Sequence, residues 1–271
     1  LQLAGGENNA WTNNDITNYY LTVPKPNVET AFWLESDRML ELAFSEQSLE
    51  VQRGVVMEEF KQRCLNQPYG DVGHLLRPLA YQVHPYRWPT IGKDLSHIEK
   101  ATLEEVKSFF YRFYAPNNAV LAVTGNISWD ETVRLTEKWF APIPRREVPV
   151  RRLPREPEQL EERRLEVKRN VPLDALFMGY HMCNRDDADY YAFDILSDIL
   201  SNGRSSRLNR RLVQELNLFS SIDAYISGTR DAGLVHVSGK PATGVSLEQA
   251  ENAVRRELEE LQQTLVGEQE L

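Results

Sequence analysis

Residues 52–63 have the sequence QRGVVMEEFKQR, and their pattern predicts the helix on which the chemistry of this chain depends. At about 3.6 residues per turn, Glu59 shares a stripe with Val55 and Val56, whereas Glu58 is rotated away from it by about 100°. We therefore expect Glu59 to be half-buried and Glu58 to be exposed. A carboxylate in that position needs a partner, because burying an unpaired charge costs several kcal/mol. An ion pair with Arg63, one turn later, is the simplest explanation.

The composition of the 271 residues is that of a folded globular protein, with 41% hydrophobic and 26% charged residues. The net charge of -9 disfavours nucleic-acid binding, which depends on clustered Lys and Arg. Cys64 and Cys183 lack CxxC spacing and support neither a disulfide framework nor a cysteine-rich zinc site. No segment approaches the roughly 20 apolar residues of a membrane span. The first six residues contain no initiator Met and no signal-peptide pattern, so we expect a cut within a longer protein and assign no compartment.

A linker is predicted at residues 144–164, where prolines alternate with charged residues. Proline interrupts helices and central strands, and the charges are typical of a solvated surface. The prolines are Pro144, Pro149, Pro154 and Pro157. This division gives a first domain at residues 1–143 and a second, truncated one at residues 165–271.

Both predicted domains follow a similar order of strands and helices. In the first, a strand at Thr17–Val23 precedes helices at 28–40 and 48–64, and Thr102 with Glu105 forms a capping box that opens a further helix. A buried strand is predicted at Ala119–Val123, followed by a helix that starts at Ser128. In the second, strands are predicted near 173–182, 219–227 and 234–239, and helices near 189–200, 206–216 and after Ser246. The fold class is α+β: two homologous units, each with a largely antiparallel or mixed sheet covered by helices on one face.

Several short motifs occur in a fixed order and together resemble the insulinase/pitrilysin family of zinc peptidases, which includes insulin-degrading enzyme and the mitochondrial processing peptidase. The motifs are GGENNAWT at 5–12, DITNYY at 15–20, LESDRM at 34–39, QRGVVMEE at 52–59, His84-Pro85-Tyr86, and YAPNNA at 114–119. The resemblance is strong over about the first 140 residues and looser beyond them. It implies the fold of mitochondrial-processing-peptidase-like metallohydrolases.

The resemblance also implies a zinc site. In this family two His of an inverted HxxEH helix and a downstream Glu hold zinc, and the Glu within HxxEH activates the bound water. The downstream ligand corresponds to Glu59. Gln52 stands where relatives often carry an acidic residue, so a supporting role there is doubtful. The family's substrate-binding edge strand corresponds to Asn9, Ala10 and Trp11, where an extended peptide would add as a strand.

Two departures from the family pattern limit what this chain can do. None of the five histidines forms an HxxEH motif, so no catalytic residue is assigned here and the motif is expected upstream of Leu1. In the second domain, Val213 and Ser220 occupy the positions where relatives place an Arg and a Tyr near the substrate. A catalytic contribution from residues 165–271 is therefore in doubt.

Two functions remain open. In the first, the parent is a zinc metalloendopeptidase acting on peptides or unfolded polypeptides, and this chain alone is inactive and holds no stoichiometric zinc. In the second, the protein is a non-catalytic polypeptide-binding or scaffold subunit with the same fold. The resemblance makes a homodimer or heterodimer plausible in either case.

Overall fold

The computed structural model describes residues 1–268 and 270, and its chain contacts separate them into two compact units. Unit 1 contains Leu1–Lys61 and Thr90–Leu153, and unit 2 contains Gln62–Pro89 together with the residues from Pro154 onward. The sequence-based division placed residues 62–89 in the first domain, at residues 1–143. In the structure this segment belongs to unit 2, because it packs with the later part of the chain. No helix in the described part of the chain is long and apolar enough to cross a membrane.

Unit 1 consists of a β-hairpin and five helices. Its elements are β1 Glu7–Thr12, β2 Thr17–Thr22, α1 Val28–Leu40, α2 Glu46–Phe60, α4 Leu95–Glu99, α5 Leu103–Phe113 and α6 Trp129–Phe140. The hairpin is antiparallel, and the Asn13 side chain closes its turn by accepting the backbone N–H groups of Asp15 and Ile16 at 2.9 Å. Helix α5 begins at the predicted capping box, in which Thr102 and Glu105 exchange hydrogen bonds.

The predicted strand at Ala119–Val123 does not form within the described residues. The segment has no strand partner there, and Val120 is 96% exposed. An alternating run of β-branched and aliphatic residues favours an extended backbone, but a strand also needs a neighbour to complete its hydrogen bonds. The prediction was therefore wrong for this chain, although the residues have the composition of a buried strand.

Unit 2 is built around a three-stranded antiparallel sheet with the order β3-β5-β4. Its elements are α3 Val72–Ala80, β3 Leu176–His181, α7 Tyr190–Ser201, a π-helical segment Asn209–Glu215, β4 Phe219–Ser227, β5 Leu234–Pro241 and α8 Leu247–Gln263. The second of the predicted helices, near 206–216, is thus largely π-helical. Helix α8 starts at the predicted capping box of Ser246 and Gln249.

The core of unit 2 lies on one face of its sheet. Met178, Val237 and Ala224 lie side by side on the three strands and contact fully buried side chains of the covering helices, including Leu200, Leu212 and Val254. Neighbouring strand residues point to opposite faces. A Cβ on Gly179, next to Met178, would lie 3.7 Å from Leu76, which places helix α3 on the other face of the sheet.

Candidate functional site

Glu59 lies in the last turn of α2. Of the two valines predicted to share its half-buried stripe, Val56 is half-buried but Val55 is 54% exposed, so the stripe formed only in part. Glu59 is half-buried, Glu58 is exposed and Phe60 is buried. The helix starts at Ser45, which forms a capping box with Ser48. It does not end in a loop, because Lys61 keeps helical dihedral angles and the chain continues into a π-helical turn, Lys61–Leu65.

Arg53 fixes the middle of α2. Its guanidinium donates to the Ala101 carbonyl at 2.8 Å and pairs with Glu50 one turn earlier on the same helix. Gln52, the residue before Arg53, is exposed, so packing does not fix its side chain near Glu59. The sequence did not indicate the Ala101 contact, because a carbonyl acceptor 48 residues away leaves no local signal.

The predicted substrate edge is an exposed strand. All six residues of β1 are exposed, including Asn9, Ala10 and Trp11, and Trp11 keeps 47% of its surface accessible. Among the described strands, β1 pairs with β2 alone. The Ala10 N–H donates to Oδ1 of Asn9 at 2.8 Å, so a local side chain satisfies this donor.

Three of the family-like motifs meet behind this hairpin. Tyr19, the cross-strand neighbour of Ala10, shares a short hydroxyl hydrogen bond with Tyr114 of the YAPNNA motif. The Arg38 guanidinium of the LESDRM motif lies 4.5 Å from the centre of the Tyr19 ring. Burial and the hydrogen bond with Tyr19 raise the pKa of Tyr114 well above its usual range. This cluster supports β2 and, through the hairpin pairing, the position of β1.

The described residues contain no cluster of three or more His, Cys, Asp or Glu that could hold a metal ion. Glu59 can supply one carboxylate ligand of the kind that zinc sites use. His74 and His97 lie on α3 and α4, His181 and His236 lie on β3 and β5, and His84 is buried in unit 2.

Val213 and Ser220 have structural contacts in unit 2. Val213 packs against the core, and the Ser220 hydroxyl donates to the Lys240 carbonyl at 3.0 Å. Neither side chain can reproduce the charge of an Arg or the phenol of a Tyr. That the substrate contact made by Arg and Tyr in relatives is missing at these two positions stays a prediction.

Comparison with known proteins identifies the protein family that this chain resembles in sequence and fold. A family model described as "Peptidase M16 inactive domain" matches residues 100–271. The crystal structure of a protease from Helicobacter pylori superposes with a TM-score of 0.91 at 28% identity, covering 99% of this chain and 66% of that one. A peptidase M16 inactive domain from Pseudomonas fluorescens shares the fold, with a TM-score of 0.87 at 19% identity, over 99% of this chain and 65% of that one.

The chain belongs to the peptidase M16 family. It is 32% identical to the zinc protease PqqE of Helicobacter pylori over 219 residues, which is 80% of this chain and 49% of that protein. It is 25% identical to the uncharacterized zinc protease YmxG of Bacillus subtilis, over 98% of this chain and 64% of that protein. The chain thus spans about half to two thirds of the length of these relatives.

Proposed function

We propose that this chain is part of a zinc metalloendopeptidase, in which Glu59 is the third metal ligand and β1 is the edge strand that receives the substrate. The observation that carries the proposal is the half-buried carboxylate at the end of α2, beside an exposed neighbour of the same type. Membership in a family whose relatives are zinc proteases supports it. The substrate class is peptides or unfolded polypeptides, because an edge strand recognises extended backbone.

The rest of the site would come from an HxxEH helix elsewhere in the parent. When bound, zinc lowers the pKa of a coordinated water and so provides a nucleophile near neutral pH. The role of this chain is to hold the Glu59 carboxylate in place and to align an extended backbone along Asn9, Ala10 and Trp11. The chain by itself is expected to be inactive and to retain no stoichiometric zinc.

The test compares Glu59→Gln with Glu58→Gln in a parent protein that contains HxxEH. The two residues are adjacent on α2 and have the same charge, but only Glu59 is half-buried. Zinc content by mass spectrometry and hydrolysis of a fluorogenic peptide should both fall strongly in Glu59→Gln and stay near the parent value in Glu58→Gln. Full zinc content and activity in Glu59→Gln would refute the ligand assignment.

A second candidate is a non-catalytic subunit that binds unfolded polypeptide, and that pairs with a catalytic partner. The match of residues 100–271 to a domain described as inactive favours it. The upstream gene sequence separates the two candidates, since only the peptidase requires HxxEH.

The substrate edge is testable in both cases. Trp11→Ala should weaken binding of β-casein, a natively unfolded polypeptide, whereas Trp129→Ala, which removes another exposed tryptophan of unit 1, should not. Equal binding by both variants would show that the Trp11 side chain does not contribute to docking at β1.

A further inference from the structure

Arg146 lies in the segment whose prolines predict a linker, but it belongs to unit 1, before the boundary that follows Leu153. Its backbone is held there by Asn117 of the YAPNNA motif. The Asn117 side chain accepts the Arg146 N–H at 3.1 Å and donates to the Arg146 carbonyl at 3.0 Å. One amide side chain thus pairs with both backbone polar groups of Arg146 and gives this residue a defined place in unit 1.

The guanidinium of Arg146 joins the carboxyl-terminal ends of two helices. One nitrogen donates to the carbonyl of Leu40, the last residue of α1, at 3.0 Å. Another donates to the carbonyl of Tyr114, the residue after α5, at 2.6 Å. The last carbonyls of a helix have no partner within it, and their partial negative charge favours a cation. Arg146 satisfies one such carbonyl at each helix end and so fixes the two ends relative to each other.

Aromatic rings of α5 keep this guanidinium in place. Its carbon lies 5.3 Å from the centre of the Phe110 ring and 5.0 Å from that of the Tyr111 ring. A planar guanidinium can lie against rings while its N–H groups donate in its own plane, whereas the ammonium of a lysine has no such plane. Phe110 also stacks on Tyr114, with ring centroids 4.9 Å apart. An arginine is therefore suited to this position by its shape as well as by its charge.

The two helix ends that Arg146 joins both support Tyr19 of the β1–β2 hairpin. Helix α1 carries Arg38, whose guanidinium lies over the Tyr19 ring, and the Tyr114 hydroxyl shares a hydrogen bond with the Tyr19 hydroxyl. Tyr19 is the cross-strand neighbour of Ala10 in β1. Because the backbone hydrogen bonds of a hairpin hold its strands together, the position of Tyr19 determines that of Ala10.

We infer that Arg146 is a positioning residue for the substrate edge: it fixes the two helix ends that hold Tyr19, and thereby Ala10 of β1. The inference rests on the proposed role of β1 and adds a residue to which the family resemblance assigns no role. Every contact in this path lies within unit 1. Loss of the guanidinium would leave two helix carbonyls without this donor and would loosen both supports of the Tyr19 ring. The hairpin would then be less well ordered for an incoming peptide backbone.

The experiment compares Arg146→Met, which removes the guanidinium and keeps an unbranched side chain, with Arg145→Met at the adjacent, exposed arginine. In this chain, hydrogen exchange of the β1 and β2 amides should become several-fold faster in Arg146→Met and stay unchanged in Arg145→Met. In a parent protein that contains HxxEH, KM for a fluorogenic peptide should rise about 3–10-fold in Arg146→Met, with kcat and zinc content nearly unchanged. This split is expected because the edge binds the substrate without taking part in the chemistry.

Two milder variants serve if Arg146→Met does not fold. Arg146→Lys keeps the charge but lacks the planar fork, so it should restore only part of the exchange protection and of the KM. Tyr114→Phe removes only the hydroxyl that meets Tyr19, and it should speed exchange in β2 and raise KM while its carbonyl still accepts from Arg146.

Unchanged exchange in the hairpin of Arg146→Met would overturn the inference. Equally faster exchange throughout unit 1, α6 included, with an unchanged KM would also overturn it, because Arg146 would then have a purely structural role. Retention of zinc by Glu59→Gln would instead refute the proposed function and would leave the exchange result for the hairpin standing. The two failures are therefore distinguishable.

Discussion

The acid sensitivity of unit 2 should depend measurably on His236. This residue lies on β5, stacks on Tyr225 with a centroid distance of 4.7 Å, and is hydrogen bonded to Ser227 Oγ at 2.7 Å. Burial, with a smaller effect from the Arg77 charge, lowers the pKa of His236 from 6.5 to about 4. The folded protein therefore favours the neutral ring, whereas the unfolded chain takes up a proton below about pH 6.5.

The direction of the effect follows from this difference. His236 makes its full contribution to stability above about pH 6.5, and that contribution is lost progressively as the pH falls toward about 4. Between pH 8 and pH 5 the loss from this residue alone is about 2 kcal/mol. Carboxylates also titrate in this range, so a variant is needed to isolate the histidine.

His236→Gln retains a hydrogen-bonding side chain but does not titrate. We expect the difference in unfolding free energy between the original protein and this variant to change by about 2 kcal/mol between pH 8 and pH 5, in favour of the variant at low pH. Urea unfolding followed by the NMR signals of β5 amides reports on unit 2 directly. Parallel stability curves for the two proteins would show that His236 does not have the assigned pKa, and His97→Gln supplies the control.

Three further predictions concern packing and capping. Leu212→Ala should destabilise unit 2 by about 2–5 kcal/mol because the side chain is fully buried, whereas Leu216→Ala, at a 56% exposed position, should cost under about 1 kcal/mol by urea unfolding. Thr102→Ala should cost about 1 kcal/mol by removing the α5 cap, with faster exchange in its first turn; unchanged exchange there would contradict the capping role. Gly239→Ala should lower the melting temperature, since its Cβ would lie 2.6 Å from the Phe219 ring, and an unchanged value would show that the ring can move aside.

Much of the local structure could be predicted because its determinants are close in the sequence. The capping boxes at Thr102 and Ser246 fixed the starts of α5 and α8, and β4 spans Phe219–Ser227 as its pattern indicated. The different exposure of Glu58 and Glu59 matches the prediction, although Val55 of the same predicted stripe is 54% exposed. The α+β fold class with antiparallel sheets was confirmed by the structure and by the M16 relatives. In unit 2, however, helices cover both faces of the sheet rather than one, because α3 lies opposite the core helices.

The remaining features depend on partners distant in the chain. The run at Ala119–Val123 has strand composition, but pairing depends on a neighbour that local pattern cannot reveal. Residues 62–89 contain the His84-Pro85-Tyr86 motif, yet they form hydrogen bonds with Asp231 and Ala232, about 150 residues later. Nothing in residues 62–89 indicates that they pack with the second unit. The assignment of Glu59 to a metal likewise depends on residues that this chain does not contain.

The distance in sequence between His84 and its partner Asp231 sets an order of events during synthesis. The two residues are 147 positions apart, so a ribosome that adds about 5–20 residues per second makes Asp231 roughly 7–30 s after His84. In that interval the rings of Tyr81 and Tyr86 lack Leu234, with which they form a buried cluster in the folded protein. Residues 80–86 can therefore reach their final packing only when β5 has been made. Translation speed, and chaperones that shield Tyr81 and Tyr86 during the wait, would therefore influence how much nascent protein reaches the native state.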